Sequence, residues 1–164
     1  MTTFALVTAE DAANVIERFN AFHDGFIQEI SLRSRDWFSG EVSDPWSLGH
    51  HCTGEFDAVI DFAHYNYGGT IQPLERIVRV RFRGVADFRF DLHGVKPEDW
   101  PIQFVAIEPA TRTHSQRGEE ACFRLDITWS AFDGEAWESR SEELFTFLRA
   151  EFQEHDEEHD RPDA

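Results

Sequence analysis

The chain opens with a helical repeat. Thr8 followed three residues later by Asp11 has the form of a capping box, and Ala12, Val15, Ile16, Phe19 and Phe22 recur at helical spacing, so a helix is expected over residues 9–22. Gly25 is expected to close it, because glycine accepts the left-handed conformation that ends helices. Phe26, Ile30 and Leu32 then begin a strand-like pattern.

Two-residue periodicity dominates the rest. Phe56, Ala58, Ile60 and Phe62 alternate with Asp57 and Asp61 until Gly68-Gly69, as a half-buried strand requires. Val78, Val80 and Phe82 oppose Arg79, Arg81 and Arg83, and Phe88, Phe90 and Leu92 repeat the alternation. A hairpin loop at Gly84, Val85 and Ala86 would set Arg83 against Asp87, Arg81 against Arg89 and Arg79 against Asp91, two complementary pairs of three. The arginine stripe is then a solvated sheet face neutralised by its neighbours, and not an anion-binding groove. Residues 102–107, all apolar except Gln103, suit a strand covered on both faces. Ala121, Phe123, Leu125, Ile127 and Trp129 alternate inward. Residues 143–152 fit a helix through Leu144, Leu148 and Phe152 and equally a strand through Phe145 and Phe147.

Between these segments, residues 36–54 are rich in Gly, Ser, Asp and Pro without sustained period and read as a long loop. Residues 150–164 are too charged to offset their ordering entropy, so a disordered or frayed acidic tail is expected after a single globular domain at 1–149. The expected class is α+β: an N-terminal helix packed on a predominantly antiparallel sheet or sandwich of about six to seven strands.

Composition sharpens this picture. Sixteen Phe and five Trp in 164 residues mean that large rings supply much of the core volume. Fifteen basic against 32 acidic residues leave a net charge of −17, which repels phosphate backbones and anionic membranes, so neither nucleic acid nor membrane is an expected partner. The N-terminal stretch lacks the positive segment and long apolar run of a signal peptide, and no run of about 18 apolar residues occurs, so a cytoplasmic location is expected. Cys52 and Cys122 stand far apart and outside any Cys-x-x-Cys pair, as reduced thiols would.

The candidate chemistry is sparse. His23 and Asp24 could act as a metal pair or a general acid and base, yet a histidine in a last helical turn followed by Asp and Gly is explained by helix termination alone. His50, His51 and Cys52, with His64 at the end of the next strand, offer zinc-type ligands, but adjacent residues diverge too much to share one tetrahedral site. His155 and His159 have helical i, i+4 spacing with Asp156 where a zinc protease carries Glu. Nucleophile-elbow, Walker and dinucleotide motifs are absent, and no cofactor is expected. Trp37, Trp46 and Trp100 sit in or beside loops among Asp36, Asp44, Glu98 and Asp99, as aromatic anchors ringed by acids for a basic partner protein would. Trp37, Asp44, Trp46, Asp99 and Trp100 are accordingly the expected contact residues.

A helix ending in Phe22-His23-Asp24-Gly25, then a strand, then Arg79-Val80-Arg81-Phe82-Arg83-Gly84-Val85 before another strand, resembles small bacterial immunity proteins of the immunity protein 50 type, over about residues 10–130. The resemblance implies a non-enzymatic protein that binds and neutralises a toxin encoded beside it. The long loop at 36–54 and the long C-terminal segment depart from that compact pattern. The rival expectations are a metal-dependent enzyme drawing on His23, Asp24, His50, His51 or His64, and a structural subunit of a bacterial assembly.

Overall fold

The computed structural model describes residues 3–39, 49–51, 54–66, 74–89, 101–114, 117–132 and 137–155. Among them are a single α-helix, α1 (Ala9–Arg18), and ten strands: β1 (Thr3–Leu6), β2 (Phe26–Ser34), β3 (Trp37–Ser39), β4 (Gly49–His51), β5 (Phe56–Asn66), β6 (Leu74–Val85), β7 (Ile102–His114), β8 (Gly118–Phe132), β9 (Trp137–Phe147) and β10 (Arg149–His155). The pairings are antiparallel throughout, in a five-stranded sheet ordered β1-β10-β6-β5-β2, a three-stranded sheet β7-β8-β9 and a two-stranded ribbon β3-β4.

The capping box forms as expected: the Thr8 hydroxyl accepts from the Asp11 amide at 3.1 Å, and the Asp11 carboxylate accepts from the Thr8 and Val7 amides at 2.8 and 3.0 Å. These bonds hold the Asp11 carboxyl below its usual value. The helix, however, stops at Arg18. Asn20, Ala21 and Phe22 follow in a tight left-handed turn with φ of 48°, 51° and 57°, and Asp24 is left-handed too. Such a run costs about 1–2 kcal/mol per residue, and the burial of Phe19 and Phe22 on either side offsets it. Gly25 is therefore not the left-handed cap. It is small because a Cβ there would lie 2.6 Å from the Ala63 carbonyl oxygen and 2.8 Å from that of Phe22.

The inner face of the large sheet follows the predicted alternation: Ala58, Ile60, Phe62, Val78, Val80 and Phe82 are buried. α1 and the smaller sheet cover it. Phe82 lies at the centre, with Phe145 and Phe147 both at 4.9 Å and edge-on, while Phe22 and Phe62 meet at 4.7 Å. Two isolated bridges, Gly25 to Ile102 and Ala86 to Thr146, join the sheets at opposite sides.

Several expectations change at the sheet margins. No hairpin forms at 84–86: the chain leaves β6 at Val85, Ala86 bridges to Thr146, and Phe88 stacks on Phe145 at 5.6 Å. Residues 90–100, including Phe90, Asp91 and Leu92, lie outside the described residues. β7 is covered on one face over its first half, since Ile102, Val105 and Ile107 are buried while Phe104 is exposed. In β8, Ala121 is exposed, and Cys122 is buried as a free thiol raised in pKa by that burial.

Residues 143–152 are strand, not helix. They belong to β9 and β10, which meet at Leu148, whose amide donates to the Arg83 carbonyl at 2.9 Å. The boundary expected after residue 149 falls inside β10. That strand lies between β1 and β6 with Ala150 and Phe152 buried, so its apolar inner face outweighs the charge of Glu151 and Glu154.

Candidate functional site

The expected loop at 36–54 is in part a β-ribbon. Ser34 pairs with Phe56 at the end of the β2–β5 ladder, the Arg35 amide donates to the Glu55 carbonyl at 3.0 Å, and Trp37, Phe38 and Ser39 then face His51, His50 and Gly49. The ribbon thus continues the β2–β5 hairpin, and among the described strands β3 and β4 pair only with each other. Trp37 is placed on it. Asp44, Trp46, Asp99 and Trp100 lie outside the described residues.

The root of the ribbon is fixed by ion pairs. Arg112 on β7 is buried and donates to Glu55 at 2.6 Å, to Glu120 on β8 at 2.7 Å and to the Gly84 carbonyl at 2.5 Å. Glu55 also accepts from Arg117 and, through its other oxygen, from Arg35 at 3.2 Å, while His114 Nε2 stands 3.8 Å away. Burial pushes the Glu120 carboxyl up, but the Arg112 hydrogen bond and the charges of Arg112, Arg117 and His114 outweigh it and hold the group below its usual value. Asp57, two residues further along, accepts from Arg83 at 2.7 Å and from the Gly84 amide at 3.4 Å.

Every member of this network is a positioning group. It ties the base of the ribbon to β6 and to the β7–β8 hairpin, in a region where an unpaired charge would be costly. Its residues come from four distant stretches of chain with no shared motif, so no sequence signal pointed to them.

The histidines expected to gather round a metal are placed separately. His23 Nδ1 lies 3.1 Å from Asp24 on a half-exposed surface turn, five residues beyond the end of α1 and not in its last turn as expected. His64 is buried on the inner face of β5, edge-on to Phe19 and Phe22 at 6.0 and 5.8 Å. His50 and His51 are consecutive on β4. No group of three or more His, Cys, Asp and Glu able to hold a metal occurs among the described residues, and no described helix is long and apolar enough to cross a membrane.

The arginine stripe is partly neutralised, by partners other than those expected. Arg79 forms a two-point pair with Asp61 across β5 and β6, at 2.8 and 2.6 Å, which raises its pKa. Arg83 pairs with Asp57, and Arg81 makes no ion pair among the described residues. Arg79 and Arg81 line an open groove of about 280 Å³ with Glu29, Ser31, Val59 and Asp61.

No protein-family model, no curated protein and no solved structure matches this chain.

Proposed function

We propose that the protein is a non-enzymatic binding protein of the immunity type, which takes a basic toxin-like protein as its partner and contacts it through the β3–β4 ribbon. The observation that carries this reading is the ribbon itself: a two-stranded extension of the β2–β5 hairpin, rooted in ion pairs, with Trp37 on its first strand. A rooted ribbon reduces the ordering cost of binding, and a tryptophan is the residue type most often found as an interface anchor. The net charge of −17 favours a basic partner and accelerates its approach. In this reading Asp44, Trp46, Asp99 and Trp100 extend the contact surface, and the protein acts in the cytoplasm.

The test is retention of a basic protein encoded beside this one by the immobilised chain, compared with Trp37→Ala and Trp46→Ala. Retention by the wild type, loss in the variants with an unchanged melting transition, and rescue of cells from that protein's toxicity support the proposal. Equal retention by the Trp37→Ala and Trp46→Ala variants removes the ribbon from consideration, and failure to rescue removes the immunity role.

A further inference from the structure

A second surface of opposite sign lies on the outer face of the five-stranded sheet. The inward alternation of Ala58, Ile60, Phe62, Val80, Phe82 and Phe152 sends Arg33, Asp57, Arg83 and Arg149 outward. These four occupy one row across β2, β5, β6 and β10, in that strand order. Arg35, immediately beyond Arg33, reaches Asp57 at 3.7 Å. Asp57 thus pairs with Arg83 and Arg35, and Arg35 also pairs with Glu55 at 3.2 Å, so four guanidinium groups meet two carboxylates, a local balance of +2.

Two features set this row apart from ordinary surface charge. The protein has more than twice as many acids as bases, 32 against 15, so a mixed surface would surround each arginine with carboxylates. Yet Arg83 and Arg149 stand directly opposite each other in the β6–β10 ladder, where like charges destabilise. Arg33 and Arg149 are exposed and make no ion pair among the described residues.

We infer that the row Arg33, Arg35, Arg83 and Arg149 is a docking site for an acidic, extended segment of a partner protein. The dimensions favour this occupant over a single small anion. Four adjacent strands span about 14 Å, and carboxylates at alternate positions of an extended chain recur about every 6.5–7 Å, so three of them cover the row. The sheet face is open and does not enclose a lone phosphate. A nucleic acid carries its charge uniformly and meets the acidic remainder of the molecule on either side, whereas a short acidic stretch does not. The row adjoins the root of the ribbon through Arg35, but Arg33 and Arg149, which the test replaces, take no part in that root.

The experiment titrates full-length protein against a labelled heptapeptide, Thr-Glu-Thr-Glu-Thr-Glu-Thr, at low salt, with its Gln counterpart and a short oligothymidylate as comparators. The Glu peptide binds, the Gln peptide does not, and added salt weakens the complex. The double variant R33Q/R149Q weakens it about five- to thirty-fold. Both arginines are exposed and make no ion pair among the described residues, and R149Q removes a like-charge pair, so this variant melts no lower than the wild type. Arg124→Gln on the other sheet, where Arg124 pairs with Glu108 and Asp126, leaves the affinity unchanged. The inference is overturned by absence of Glu-peptide binding to the wild type, by an equal effect of Arg124→Gln, or by tighter binding of the oligothymidylate.

Discussion

Glu55 and Glu120 show how much of this molecule depends on single carboxylates with several partners. Arg112 is almost wholly buried, with 5 % of its side chain exposed, and its three donating nitrogens are all satisfied, two by these acids and one by the Gly84 carbonyl. Removing one acid leaves part of that charge uncompensated, which is more damaging than never having had the pair. Because the folded protein lowers the Glu120 pKa, its contribution to stability is complete above the ordinary carboxylate value of 4.5 and is lost as pH falls through the lower folded value. Glu120→Gln should therefore destabilise the protein at neutral pH, and its deficit relative to wild type should narrow below about pH 4.5. Urea unfolding of both proteins along a pH series measures this, and a deficit that is constant with pH would show that the carboxylate charge is not what matters.

Among the elements, β10 departs most from what its sequence suggests. Its composition is that of a solvated acidic tail, but Ala150 and Phe152 alternate inward and place it between β1 and β6. Phe152 meets Phe19 at 6.0 Å and Phe82 at 6.4 Å. Phe152→Ala should cost about 3–5 kcal/mol, and a chain ending at Arg149 should lose cooperative unfolding altogether, as followed by near-ultraviolet circular dichroism on heating. A truncated chain that still melts sharply would mean that β1 can pair elsewhere. The element patterns were legible wherever one face was buried: the helix start, β5, β6 and β8 follow directly from period and capping. They were illegible where tertiary contacts decide. Nothing local distinguishes a left-handed turn at Asn20–Phe22 from a further helical turn. Nor does anything local tell a closing strand from a frayed tail, since charge averages hide two alternating apolar residues. At the candidate site, Trp37 was singled out from residue type, loop position and acidic neighbours, while the ion pairs at the ribbon's root join residues whose proximity arises only from the pairing of β5 with β6 and of β7 with β8.

At the level of the whole molecule, two electrostatic regimes coexist. The buried network is shielded from salt, whereas the net charge of −17 acts between exposed groups and opposes compaction. Raising sodium chloride from about 20 mM to about 500 mM, which shortens the screening length several-fold, should raise the melting temperature by about 3 °C, the equivalent of roughly 1 kcal/mol for a domain of this size. A fall would indicate that exposed ion pairs outweigh the self-repulsion. Topology adds a kinetic counterpart. β1 pairs with β10, so the five-stranded sheet is completed only by the last of the described strands to be made. During synthesis, the apolar faces of α1, β5 and β6 must wait until residue 155 has emerged from the ribosome before Phe152 can close over them. For most of its translation, then, the nascent chain is a sheet with an open margin, and a trigger-factor-like holdase that shields this margin should raise the yield of folded protein more than one acting after release.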